Sequence, residues 1–422
     1  MKIYPSNCNS AKKDSLYHSF FTLWQSQVLR FKTTAFLLFL AFTYVGTAAT
    51  VYVDVNSSNP TPPYTSWDTA AQTIQDAVDA AQSGDTVIVT NGVYKTGGKA
   101  VYGSLINRVA IDKPITVKSF NGPAVTFIVG AAAPGGGNSV GAIRCAYVGT
   151  NVLLSGFTLT NGHTITGGDH YKEQSGGGIY CDALGIVSNC VLISNSANFG
   201  GGVYGGTFYN CTLISNSADY FGGGGYECTF YNCTLIGNSG YYYSGGAYGC
   251  TLYNCTLIGN SAGTHAGGVD RSRLYNCIVY YNTAPTGPNY DDYSTICYSC
   301  TTPLPFGEGN ISVEPLLASS THLSANSPCI GKGSSQYSSG VDIDGEPWLN
   351  PPSMGADEYV PDNVKGPLSV SIDVNYTNVA TGFAISFVAQ NQGLISSSFW
   401  DFGDGVIASN KVYIKHSWND PG

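Results

Sequence analysis

Charge is what this 422-residue sequence has least of: Asp, Glu, Lys and Arg together make up 11%, against ~25% in an ordinary globular chain. Surface polarity must therefore come from Ser, Thr, Asn, Tyr and Gly. Methionine occurs twice, and the scarcity of Lys and Glu removes residues that favour exposed helix. Basic clusters are missing too. With a formal charge of −9 the chain repels DNA, RNA and acidic membrane surfaces, so nucleic acid is excluded as a partner. The apolar run Ala35 to Val45 is short of the ~20 residues of a spanning helix. It follows Lys32 and leads to Thr47-Ala48-Ala49, the layout of a signal peptide cleaved after about Ala49. Met1 to Phe31 is long for the head of such a leader, which leaves open a misplaced start codon or an uncleaved anchor. Cleavage would begin the mature chain near Thr50, as a secreted or cell-surface protein with no further transmembrane segment.

In place of charge stand 53 Gly and 30 Tyr, a composition of many short strands joined by tight turns. Thirteen Cys in an exported chain would suggest disulfides, yet Cys8 lies in the leader and several others recur at a fixed spacing. Asn189-Cys190, Asn210-Cys211, Asn232-Cys233, Asn254-Cys255 and Asn276-Cys277 are offset by 21 and then three times by 22 residues. A second Asn follows in each unit, at Asn195, Asn216, Asn238, Asn260 and Asn282, and then Gly-rich pieces such as Gly200 to Gly202 and Gly222 to Gly225.

A unit this short cannot enclose its own core. Stacked coils bury a continuous one and let each strand bond to those above and below. The sequence thus predicts an all-β fold, a right-handed parallel β-helix of ~22-residue coils, starting near Asp85 and on the order of 45 Å long. Leucine-rich repeats share the period but need a helical half, which Gly-Gly-Gly would break. Upstream, Ser66 to Gln82 carries Ala70, Ile74, Ala77, Val78 and Ala81 at helical spacing, an amphipathic helix suited to cap the first coil. Both Asn columns are expected at bends, where Asn tolerates the left-handed conformation and stacked amides bond along the axis. Cys190, Cys211, Cys233, Cys255 and Cys277 would point inward as small apolar residues. Cys228 with Cys250, or Cys297 with Cys300, are better placed for bridges.

Three stretches resemble secreted β-helix proteins of the pectin-lyase fold: Trp67 to Tyr94, the Asn-Cys-Thr-Leu-Ile coils, and Ser327-Pro328-Cys329-Ile330 through Asp342-Ile343-Asp344-Gly345 to Gly355-Ala356-Asp357-Glu358. The steps Leu213 to Asn216, Leu235 to Asn238 and Leu257 to Asn260 also resemble repeats of chlamydial polymorphic outer membrane proteins, which implies surface display and adhesion. Beyond the Pro361-Asp362-Asn363 linker, Phe399-Trp400-Asp401-Phe402-Gly403-Asp404-Gly405, His416-Ser417-Trp418 and Pro421-Gly422 resemble the polycystic-kidney-disease (PKD) domain signature. That implies an Ig-like β-sandwich over 367–422, a spacer or adhesive module. Members of that family continue past Pro-Gly, so the module reads as truncated. The expected organisation is a leader over 1–49, a capped and closed β-helix over 50–362, and this module.

Many pectin-lyase-fold proteins are polysaccharide lyases or glycoside hydrolases, chemistry that needs paired carboxylates or a base with a cation. The regular coils are nearly devoid of either. One turn, Asn161 to Gly176, is about eight residues longer than its equivalents and carries His163, Asp169, His170, Lys172 and Glu173, the weak catalytic candidates; a solvated polar loop accounts for them equally. Tyr209, Tyr231, Tyr253 and Tyr275 alternate with inward residues and so face outward, suited to stacking on a neutral polysaccharide or simply on each other. The face of Tyr204, Tyr226 and Tyr248 is left unassigned. Asp342, Asp344 and Glu346, near Asp357 and Glu358, could hold Ca²⁺ or merely close the last coil; no other cofactor is expected. The sequence thus favours a monomeric, non-catalytic protein that binds carbohydrate or a cell-surface component in adhesion. A lyase or hydrolase and a structural spacer are the alternatives.

Overall fold

The fold was described from a computed structural model, which covers residues 48–361, 369–374, 378–392, 398–409, 411 and 413–420. Residues 1–47 of the leader, Asp362-Asn363, the first residues of the C-terminal module and Pro421-Gly422 lie outside the described residues.

Each repeat turns its alternate apolar residues inward, and only a neighbouring repeat can cover the strand edges this leaves. The result is a right-handed parallel β-helix. A ten-stranded sheet runs from Thr50–Val53 to Thr295–Cys297, a nine-stranded one from Gly92–Tyr94 to Cys300–Thr301, and an eight-stranded one lies across the Gly-rich side. A fourth, from Ser196–Phe199 to Ser261–Ala262, occupies the corner between the second and third. Register is strict: Thr207, Phe208 and Tyr209 pair with Thr229, Phe230 and Tyr231, then with Thr251, Leu252 and Tyr253. Like therefore stacks on like. Leu192, Leu213, Leu235 and Leu257 form one fully buried column, each side chain stabilising by about 1.5–3 kcal/mol. Gly225 has no Cβ for a packing reason, since one would meet the Phe230 ring at 2.7 Å.

The rod begins one strand earlier than its expected start near Asp85. Thr50–Val53 pairs in register with Thr86–Val89, because Val51 and Val53 repeat the buried alternation of Val87 and Val89. Ten strands make nine steps of ~4.8 Å, a rod of ~43 Å. The cap is also shorter than Ser66 to Gln82. An α-helix spans Ile74–Ala80, with Thr73 accepting from Asp76 N–H, after a single 3-10 turn at Trp67–Thr69. Residues before it are diverted to a different task, since Ala71 exchanges backbone bonds with Tyr52 and Asp54 and so covers the edge of the first strand. Gln75 does the same for the third sheet, donating to Ala110 C=O and accepting from its N–H at 2.7 Å.

The two Asn columns part company. Asn189, Asn210, Asn232, Asn254 and Asn276 take φ between 48° and 56°, the left-handed bend expected of them. Asn195, Asn216, Asn238 and Asn260 do not; the residue before each does, as at Ser194, Ser215, Gly237 and Gly259. Their amides instead form a buried ladder. Asn238 Nδ2 donates to Asn260 Oδ1 (2.9 Å) and Leu213 C=O (3.0 Å), and its own Oδ1 accepts from Asn216 N–H and Nδ2. Asn282 continues the ladder to Asn289. Cys190, Cys211, Cys233, Cys255 and Cys277 face inward as free, buried thiols. The suggested bridges are not made, because Cys228, Cys250 and Cys300 are also free.

After the last coil the chain turns back along the rod. Ser334 to Asp342 forms a strap over the first Asn column, whose Nδ2 groups reach its carbonyls: Asn276 to Ser334 (2.9 Å), Asn254 to Tyr337 (3.2 Å), Asn232 to Val341 (2.8 Å) and Asn210 to Asp342 (3.3 Å). Two small antiparallel sheets follow, one of Ser369–Val374, Ile385–Gln392 and Tyr413–His416, the other of Phe399–Asp401 and Ile407–Ser409, consistent with an Ig-like part.

Candidate functional site

The corner sheet repeats a short pattern, Asn216-Ser217-Ala218, Asn238-Ser239-Gly240 and Asn260-Ser261-Ala262. The buried Asn fixes each strand, so the Ser beside it must face out and the small residue leaves a shallow floor. Just beyond, Tyr241 is 70% and Tyr242 42% exposed. A groove of about 680 Å³ results, lined by the three Ser, by Tyr241, Tyr242 and Thr264, with Asp219 its one charge. Among the described residues, no hydrogen bond engages the hydroxyls of Ser217, Ser239 and Ser261. The Tyr220 and Tyr242 rings stack at 5.7 Å, and Tyr241 stands at 85° to Tyr242 with a face free. Hydroxyls beside free aromatic faces suit a sugar ring, whose polar edge and apolar face need both.

The tyrosine column singled out in the sequence is arranged differently. Tyr209, Tyr231, Tyr253 and Tyr275 stack at 4.8 to 5.2 Å with interplanar angles of 6° to 17°. Each ring covers its neighbour's face, and Tyr337 of the strap covers Tyr275 at 4.3 Å, leaving it 4% exposed. Only ring edges and the outer face of Tyr209 remain for a ligand. The second column, Tyr204, Tyr226 and Tyr248, faces outward on the third sheet at 5.4 to 5.6 Å spacing. It continues upward as Tyr180 and Tyr147.

In the long turn the carboxylates hold backbone. Asp169 Oδ1 accepts from Tyr171 and Lys172 N–H, which holds its carboxyl below the usual range. Glu173 is buried and lowered in the same way, accepting from Asp169 N–H and from Ser104 N–H at 2.7 Å. Fully buried Arg144 anchors the turn from beneath through Lys172, Ser175 and Gly176 carbonyls; burial pulls its guanidinium down to about 9. Lys172 Nζ lies 4.5 Å from the centre of the Tyr102 ring. The His163 ring reaches its near neighbour Asn161 C=O, and His170 packs on Phe199. The five candidates thus form a folded turn. His265 is linked to it through ring contacts of Phe199, Phe221 and Tyr243.

Two acid clusters remain. Beside the groove, His265 Nε2 lies 3.2 Å from the buried Asp270, whose carboxyl burial and the neighbouring Asp291 push up to about 7. In the closing segment Asp342, Glu346 and Asp357 converge, with His322 and Asp344 alongside. Asp342, Glu346 and Asp357 bring buried carboxylate oxygens together, and Asp344 of the expected set lies in a second group with His322 and Asp357. Asp342 accepts from the N–H groups of Asp344, Glu346 and Glu358. Burial pulls the His322 imidazole down, but Asp344 at 2.7 Å and the acids behind it raise it on balance. Burial likewise raises Asp342 and Asp357.

No family model and no curated protein matches the chain. Among solved structures it is similar to the pectin methylesterase of Erwinia chrysanthemi, at 15% identity over 61% of this chain and 80% of that one, with a TM-score of 0.33. It is also similar to pectate lyase Pel9A, at 15% identity over 75% and 97%, with a TM-score of 0.29, and to a carrot pectin methylesterase, at 17% over 61% and 73%, with a TM-score of 0.25. Overlap this loose assigns no activity. Among the described residues no helix is long and apolar enough to cross a membrane.

Proposed function

We propose that this chain is a secreted or cell-surface rod that binds uncharged polysaccharide without cleaving it. The observation that carries the reading is the groove, with its hydroxyls facing a free Tyr241 ring and one carboxylate at its edge. The long-turn carboxylates support a non-catalytic role, because their oxygens are engaged by backbone N–H groups. The C-terminal strands fit a PKD-like spacer: the motif residues Trp400, Phe402, His416 and Trp418 pack together, with His416 Nε2 2.8 Å from Asp404.

The test is a screen of the full chain against neutral and acidic polysaccharides, scoring both retention and release of reducing or unsaturated ends. Retention without product, lost in Tyr241→Ala and kept in Tyr231→Ala, is expected. Product release that Asp169→Asn or Lys172→Met abolishes would replace this reading with a lyase or hydrolase.

A further inference from the structure

The groove is built from repeats, and its contents are in register. Ser217 pairs with Ser239 and Ser239 with Ser261, while Ala218, Gly240 and Ala262 pair in the same way. Three coils therefore present the same hydroxyl over the same small floor residue, once every ~4.8 Å along the axis. Tyr242, stacked on Tyr220 of the preceding coil, lines the groove beside this column of hydroxyls, whose repeat runs along the axis. Ser196 belongs to the same column, but its hydroxyl accepts from Asn138 Nδ2 at 3.0 Å, and the same amide reaches Asp219. That contact closes the upper end. At the lower end Thr283 continues the column through a bridge with Ser261.

We propose that the groove is an array of equivalent subsites, one per coil, which takes a linear uncharged polysaccharide lying parallel to the rod axis and so measures its length. The proposal rests on the glycan reading above. A single sugar fills one subsite and gains one hydroxyl contact. Each further unit meets the next coil after the ordering cost of the first has been met, so affinity climbs with length as in any linked multivalent ligand. It stops climbing when the subsites between Asn138 and Thr283 are filled. Branched or strongly curved chains leave the register after one or two units.

The test uses the full-length protein with cello-, xylo-, manno- and β-1,3-gluco-oligosaccharides of one to six units, titrated by calorimetry. In the series that binds, affinity is expected to rise roughly 100-fold from one unit to the length that fills the groove and then to level. Ser239→Tyr, which blocks the middle subsite, should flatten that rise. Deletion of residues 217–238, one whole coil, should shorten the levelling length by one subsite, and circular dichroism reports whether that variant folds. A short ligand that binds as tightly as a long one, and is lost in Tyr241→Ala, overturns the array while leaving the glycan reading intact. Absence of binding by all series, together with an empty polysaccharide screen, overturns both.

Discussion

Two columns of asparagine run along the same five coils of the rod, six residues apart in sequence, and they are there for opposite reasons. In the column from Asn189 to Asn276 the backbone decides: φ near 50° is tolerated by Asn and Gly, and the side chain points away from the core, where four of the five hold the strap and Asn232, Asn254 and Asn276 are buried beneath it. In the column from Asn195 to Asn282 the side chain decides: the backbone is ordinary and the amide is buried, giving and taking bonds at every coil. One residue type thus serves once as a bend and once as a rung.

Substitutions separate the two roles. Asn238→Leu leaves Asn216 N–H buried without its acceptor, takes one of the two acceptors of Asn216 Nδ2 and removes an amide donor from Leu213 C=O, and is expected to cost about 2–4 kcal/mol at ~1–3 kcal/mol for a group left unsatisfied, read as a fall in denaturant midpoint. An equally mild effect at position 238 and at exposed Asn189 would remove the distinction. Asn254→Ala puts a Cβ-bearing residue without a local amide at φ 48° and removes the Asn254 Nδ2 bond to the strap at Tyr337 C=O, for an expected loss of about 1–2 kcal/mol, concentrated in the strap by hydrogen exchange.

The closing segment next to the strap should respond to pH. His322 is raised above 6.5, and Asp342 and Asp357 are raised above 3.8, so the folded state holds protons that the unfolded chain has released. Stability is then lost as pH rises through these raised values. The His322 contribution is complete below about pH 6.5. The protection of strap amides, relative to the base-catalysed exchange of an unfolded chain at the same pH, should fall from mildly acid to mildly alkaline pH, and His322→Gln should shrink that response; pH-independent protection would contradict the arrangement. The smallest effect is expected for Asn189→Gly, within about 0.5 kcal/mol, because Asn189 stands beyond the strap and Gly accepts the bend.

The stacked fold was legible because the Asn-Cys spacing and the alternating strands agree with one period. The division between the Asn columns was not, since φ and burial at Asn195 depend on the coil below. Tyr209 was correctly set outward by alternation, yet its stacking on Tyr231 depends on ring orientation, which spacing does not encode. The groove left a readable trace in the recurring Asn-Ser-small triplet, obscured because Tyr241 and Tyr242 lie in a turn without a strict repeat. The strap was out of reach: Asn276 and Ser334 are 58 residues apart, and no periodicity links them.

That strap gives the rod a mechanical character its coils alone lack. A stack in which each repeat touches only its neighbours fails by peeling, one layer at a time, under a force applied at its end. A tie fastened to four successive layers shares such a load among them, so the lower half of this rod should yield as a block, at higher force and in fewer steps than the upper half.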